Sequence, residues 1–227
     1  MDARFAHVRD WIFDLDNCLY PASTGLFALI DERMGAYIQR LLGCDPVEAR
    51  RVQKGHFHKH GTTLAGLMEE HGVDPHDFLD DVHDIALDRV SEDRRLAAAL
   101  DRLPGRKFVF TNGDGPYARR VLEAIGIHGH FDELHDIHAS ELRPKPNRHG
   151  YDLICARYAI DPAAALMVED MAQNLKPAKD LGMTTVWVDN GSERGSHGYT
   201  PEHVDHRIAE VGAWLETIIG DDDERTA

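Results

Sequence analysis

Val8-Arg9-Asp10-Trp11-Ile12-Phe13-Asp14-Leu15-Asp16-Asn17 decides the fold, because the apolar run Trp11-Ile12-Phe13 stops abruptly at a cluster of acids. A short apolar run bounded by turn-forming residues reads as a buried strand, and this one delivers Asp14 and Asp16 to its carboxyl end. From about Leu26 to Leu100 no convincing strand follows. Apolar residues there fall at helical spacing, as in Leu26, Leu29, Ile30, Met34 and Tyr37, with breaks at Gly43-Cys44-Asp45-Pro46 and Gly72-Val73-Asp74-Pro75. After Pro104-Gly105 the pattern becomes alternating β and α. Strands are expected at 107–110, 133–137, 165–168 and 184–188, and helices at 117–125, about 149–158 and 175–181. Such alternation implies a parallel sheet with helices on both faces, interrupted after its first strand by an all-helical insertion.

The chain has 227 residues, 42% of them hydrophobic, enough for one large domain or a core carrying a smaller insertion. Forty acidic residues against 25 basic ones leave a formal net charge of -15. That field repels nucleic-acid polymers and anionic membrane surfaces, and favours a small-molecule protein. It also repels phosphorylated substrates, so a phosphate site here requires a bound cation or local positive groups. The three cysteines, Cys18, Cys44 and Cys155, lie far apart, and no apolar segment is long enough to span a bilayer. A reducing cytoplasm is the expectation.

In an open parallel sheet, reactive groups gather at the carboxyl ends of strands. Here those ends carry Asp14 and Asp16, then Thr111 and Asn112 after Phe110, then Lys145 in Arg143-Pro144-Lys145-Pro146, then Glu169 and Asp170 after Val168. Singly, such residues are ordinary turn formers and helix caps. Taken in order, Asp14-Leu15-Asp16-Asn17-Cys18-Leu19, Phe110-Thr111-Asn112-Gly113, Lys145, and Val168-Glu169-Asp170 with Asn174 resemble the haloacid dehalogenase-like superfamily of phosphohydrolases. Two departures stand out: Cys18, where the family often has Thr or Val, and Asn174, where many members carry a further acid.

The resemblance implies an α/β fold: a Rossmann-like doubly wound parallel sheet core with an inserted all-helical cap domain. The core is expected over 1–20 and 92–220 and the cap over 21–91. The acidic stretch 221–227 is expected to be a solvated, frayed tail. The implied chemistry is a magnesium-dependent phosphomonoesterase with Asp14 as nucleophile. Phosphoryl transfer needs an in-line nucleophile and charge stabilisation, with little else demanded of the protein. Asp14 can become an aspartyl phosphate, and Asp16 can protonate the leaving oxygen and then activate water. Thr111 and backbone amides near Asn112 and Gly113 can bind phosphate oxygens, while Lys145 neutralises charge. Asp14, the Asp16 carbonyl and Asp170 suffice to hold Mg²⁺, with Glu169 and Asn174 beside them as orienting groups.

Several other features have two readings. In His56-Phe57-His58-Lys59-His60, only His56 and His60 share a helix face, and a zinc pair needs a third ligand that the neighbouring sequence does not supply. Contact with substrate is the alternative for His56 and His60. Thr62 and Thr63, after the Gly61 break, are expected either to face substrate or to cap the next helix. Cys18 has no nearby Arg of the kind a phosphate-binding cysteine loop needs, and reads as a small buried thiol. The pairs His83-Asp84 and His135-Asp136 suggest a helical metal-dependent phosphohydrolase, but the second pair falls on an expected strand. A non-catalytic phosphoacceptor signalling domain would use an aspartate, a Thr and a Lys, yet has no use for Asp16 or the insertion. Within the superfamily, Asp14 to Pro21 together with Gly61 to Leu67 look most like the pyrimidine 5'-nucleotidase branch. UMP or CMP is therefore the expected substrate, with pyridoxal phosphate, phosphoglycolate or a sugar phosphate as alternatives.

Overall fold

The computed structural model describes residues 1–191 and 195–220, so the acidic stretch 221–227 lies outside the described residues. Within them, β1 (Asp10–Phe13), β2 (Arg106–Phe110), β3 (Glu133–His135), β4 (Ala165–Glu169), β5 (Thr184–Val188) and β6 (His206–Ile208) form one sheet. Its order is β3-β2-β1-β4-β5-β6 and every neighbouring pair is parallel. The chain steps outward from β1 in one direction, then returns to β1 and steps outward in the other. The crevice at that reversal is where α/β sheets bind ligands. Register brings the relevant ends together: Phe13 sits opposite Val109 on β2 and Val168 on β4, so Asp14 emerges beside Phe110-Thr111 and Glu169-Asp170.

The period-two alternation of the strands divides the core into two layers. Trp11, Phe13, Val109 and Val168 join one cluster with Leu96, Val121 and Leu215 of α5 (Arg94–Arg102), α6 (Gly115–Ile125) and α9 (Val211–Ile219). Ile12, Phe108, Phe110 and Met167 join the other with Tyr151, Ile154 and Leu175 of α7 (Arg148–Tyr158) and α8 (Ala172–Leu181). The expected doubly wound sheet is therefore what the chain forms. Sequence reading missed β6, a three-residue edge strand, and α9, against which α5 packs.

Between β1 and α5 lie α1 (Leu26–Leu42), α2 (Pro46–His60), α3 (Thr63–His71) and α4 (Pro75–His83). The two Gly-X-Asp-Pro breaks work as stop and start signals. Gly43 and Gly72 take left-handed φ of 63° and 64°, ending α1 and α3. Asp45 and Asp74 then cap α2 and α4 by accepting from the amides of Glu48 and His76, each followed by Pro at the first helical position. In the bundle α1 packs on α2 and α4, α2 packs on α3, and Tyr37 meets Phe78 edge-on at 5.0 Å.

Candidate active site

Asp14 leaves β1 with its amide still bonded to Val168 O at 2.9 Å, so its carboxylate is held at the sheet edge by backbone geometry. Lys145 reaches it from the loop before α7. Its Nζ donates to Asp14 Oδ1 at 2.7 Å, to Glu169 Oε2 at 2.7 Å and to Phe110 O at 2.8 Å, which satisfies all three donors of the ammonium. Burial works against this charge, but Asp14 and Glu169 outweigh it and hold the lysine above its usual range. Burial and the charge of Glu169 push the Asp14 carboxyl up to about 8, against the pull of Lys145. Asp14, Thr111, Lys145, Glu169 and Asp170 are all between 1 and 6% exposed. One ammonium is shared among crowded carboxylates, a setting that favours an additional cation.

The donor set fits such a cation. Carboxylate oxygens of Asp14, Glu169 and Asp170 lie within 4.8 Å of one another, all buried. Asn174, at the start of α8, lines the same cavity and its buried Oδ1 has no hydrogen-bond partner. An all-oxygen set is what a hard divalent cation takes. Glu169 is engaged at both oxygens, by Lys145 and by the Met171 amide at 3.2 Å, which suits an orienting role.

Asp16 stands at the cavity with one oxygen held twice. Tyr20 and Tyr117 hydroxyls each donate to Asp16 Oδ1 at 2.7 Å. Burial and the Asp16 charge push both phenols well above their ordinary range, so they remain donors. Tyr117 in turn stacks on His83 of α4, with centroids 4.3 Å apart and planes 11° apart. His83 Nδ1 lies 2.8 Å from Asp114, the N-cap of α6, and Arg120 donates to His83 O and Ile85 O. The insertion is thus tied to the sheet beside the candidate acid. Sequence reading missed Tyr117 and this role of His83: Tyr117 reads as a core position of α6, and Asp114 lies 31 residues from His83. The sequential pair His83-Asp84 does not form, since Asp84 pairs with Arg33.

Thr111 lines the cavity, and its hydroxyl accepts the Gly113 amide at 2.9 Å. Asn112 donates to Lys145 O at 3.3 Å and accepts the Lys145 amide at 2.8 Å. The Gly113 amide and the Asn112 side chain therefore shape these loops, although both residues border the cavity; phosphate contact was the expectation for both. Thr62 and Thr63 also line it. Thr62 accepts the Ala65 amide at 3.1 Å as the N-cap of α3, whereas buried Thr63 has no such cap bond. His56 and His60 are absent from the cavity wall and turn toward α3, because one helix face cannot serve both sides. Cys18 is a buried free thiol donating weakly to Val168 O. His135 is buried on β3 with both ring nitrogens unpartnered, packed edge-on against Phe110.

The cavity holds about 150 Å³, roughly the space of one six-membered ring. Its floor is the cluster at the strand ends, and its roof is Phe27, Met34, Phe57, Leu64 and Phe78 from the four inserted helices. Among the described residues no helix is long and apolar enough to cross a membrane.

An α/β sheet with acids at its reversal point and a helical insertion over them defines a class of hydrolase. The chain belongs to the haloacid dehalogenase-like hydrolase family, whose model matches residues 11–182. Phosphate metabolism protein 8 of Saccharomyces cerevisiae is 25% identical over 190 residues, covering 76% of this chain and 59% of that relative. The chain thus spans less than two thirds of that protein's length. A HAD phosphatase from Thermococcus onnurineus superposes with a TM-score of 0.63 at 18% identity, covering 94% of this chain and 98% of the other. The L-2-haloacid dehalogenase of Xanthobacter autotrophicus gives 0.57 at 17%, covering 94% and 99%. The Bacillus subtilis HAD-hydrolase YfnB, solved bound to magnesium, gives 0.60 at 15%, covering 94% and 99%. At such identities these structures share the fold, and chemistry must be argued from the residues.

Proposed function

We propose that this hydrolase is a magnesium-dependent phosphomonoesterase, acting through an aspartyl phosphate on a small phosphorylated metabolite, with pyrimidine nucleoside 5'-monophosphates the favoured class. The observation that carries the reading is the meeting of Asp14 with Lys145 and Glu169 beside a tyrosine-held Asp16, under a ring-sized apolar cavity. Asp14 is the nucleophile, and Lys145 and the Thr111 hydroxyl hold phosphoryl oxygens. Asp16 Oδ1 is occupied by two phenol donors, which leaves Oδ2 to carry the proton for the leaving oxygen and later to take one from water. Magnesium held by Asp14, Asp170 and the Asp16 carbonyl would favour the ionised nucleophile and offset phosphoryl charge. A halide leaving group needs no proton, so Asp16 and its two tyrosines favour phosphate esters over haloacids.

The four inserted helices act as the cap that selects the substrate. Their apolar wall suits a planar ring, with Thr63 and His83 as polar contacts. The setting is a reducing cytoplasm, with no nucleic-acid polymer or membrane as partner.

A release panel on the full chain tests this, with and without Mg²⁺. It contains UMP, CMP, pyridoxal phosphate, phosphoglycolate, sugar phosphates and L-2-chloropropionate. Magnesium-dependent phosphate turnover, strongest on UMP and CMP, is expected. Turnover confined to other phosphates would remove the nucleotidase reading. Chloride release, or one phosphorylation per chain without turnover, would overturn the phosphatase itself.

A further inference from the structure

His56 and His60, one turn apart on α2, lack a third ligand in the neighbouring sequence, and the fold supplies one. The turn at Gly61-Thr62 folds α3 back along α2. Contact is close enough at Gly66 that a Cβ there would stand 2.4 Å from the His56 ring. Glu70, one helical turn further along α3, consequently reaches both histidines. Its Oε1 is 3.0 Å from His60 Nε2, and its Oε2 is 3.9 Å from His56 Nδ1. One ligand atom from each of the three residues lies within 4.8 Å of the others. We propose that His56, His60 and Glu70 form a second metal site, a two-histidine, one-carboxylate set for zinc or a similar transition cation, separate from the acidic cluster at the strand ends.

Chemistry separates the two clusters. Imidazole nitrogens suit zinc, cobalt and nickel, whereas magnesium takes oxygen. A tetrahedral ion with bonds of about 2.0–2.2 Å places its ligand atoms about 3.3–3.6 Å apart, between the two separations measured here. The surroundings are also those of a metal-binding histidine. His60 Nδ1 lies 3.1 Å from Glu69 Oε2, so a carboxylate holds the far ring nitrogen and leaves Nε2 for the metal. His56 is only 5% exposed and turns Nδ1 toward Glu70, while its far nitrogen Nε2 has no hydrogen-bond partner, so the carboxylate support is supplied at His60 alone. Against the site stands Lys59, whose Nζ donates to Glu70 Oε1 at 2.7 Å. Lys59 is 66% exposed and can swing into water when a cation takes its place. Three ligands leave a coordination position for water or for an incoming group.

Such an ion would pin α2 to α3 directly before the turn that roofs the cavity. Gly61, next to His60, comes within 3.8 Å of Lys145 O as measured from an added Cβ, and Thr63 lines the cavity wall. Metal there would hold this turn against the Lys145 loop without touching substrate.

The test uses Co²⁺ as a spectroscopic probe and Zn²⁺ by calorimetry, on the full chain in millimolar Mg²⁺ so that the strand-end acids are occupied. One equivalent should bind, with visible cobalt absorption typical of a low-coordinate nitrogen site. His60→Ala and Glu70→Gln should each weaken binding at least about tenfold, and Glu69→Gln by about 10- to 100-fold. Lys59→Met should tighten it, an outcome that a purely structural salt bridge does not produce. Asp170→Asn should leave it unchanged. Thermal melts of each variant establish that it is folded, and exposed Glu70→Gln keeps the test open should His60→Ala fail to fold. The proposal falls if no stoichiometric cobalt binds, if binding survives both ligand variants, or if Asp170→Asn abolishes it. None of these results bears on phosphate release.

Discussion

At the strand ends Lys145 holds Asp14 and Glu169 at 2.7 Å with 1% of its side chain exposed, whereas in the inserted helices Arg40 holds Asp81 at 2.8 Å with 58% exposed. The distances match and the energetics do not. A pair in water gains little, since solvent screens it and two long side chains must be ordered. A buried pair is costly to assemble and far more costly to break, because removing one partner leaves a charge with no solvent to receive it. The sheet edge therefore keeps crowded charge that backbone register holds in place. The helices carry exposed pairs that solvent screens and that can rearrange at little cost.

The largest expected effect tests the centre of that comparison. Asp14→Asn should lower turnover by at least about 10⁴-fold, measured as phosphate release, because an amide cannot attack phosphorus. The same variant should melt no lower than the parent in the absence of metal, since it removes a carboxylate crowded by Glu169. Near-normal turnover in the folded variant would take Asp14 out of its role.

Lys145→Met should cost about 3–5 kcal/mol by urea denaturation, while Arg40→Ala should cost under about 1 kcal/mol. Equal costs would erase the distinction between the regions.

Asp16→Ala should reduce turnover of alkyl phosphates by about 10²–10⁴-fold and of an activated aryl phosphate far less. Tyr117→Phe removes one of two donors to Asp16 and should show the same selectivity at about tenfold. A uniform loss across leaving groups would remove the acid assignment.

His135 yields a pH effect within the sheet. Burial, with Arg157 nearby, pushes its pKa from 6.5 down to about 4, so the fold holds it neutral. Stability from this group is fully present above about pH 6.5 and is lost as pH falls toward 4. His135→Leu should flatten the melting temperature over that window, and an unchanged acid slope would show that the slope has another source.

The smallest effect separates two neighbouring threonines. Thr62→Ala should cost about 1 kcal/mol by loss of the α3 cap and slow all substrates alike. Thr63→Val should shift the kcat/KM ratio between UMP and an aryl phosphate, with little change in stability.

The sheet, and the order of the residues along its carboxyl edge, were legible in local patterns of the chain. Apolar runs of strand length ending in Asp14, Thr111 and Glu169 are local signals, and a parallel sheet turns their order along the chain into adjacency at one edge. The Gly-X-Asp-Pro breaks were likewise legible, because capping and left-handed glycines act within four residues. β6 was not legible: three residues of an edge strand, half in water, carry neither an apolar run nor clear alternation. Tertiary structure alone decided the partners that come from distant segments. Tyr117 stands 101 residues from Asp16, Asp114 stands 31 from His83, and Glu70 reaches His56 only because α3 folds back on α2. Side-chain patterns report the period of one element, whereas these contacts depend on how two elements pack, and nothing in either local sequence encodes that distance.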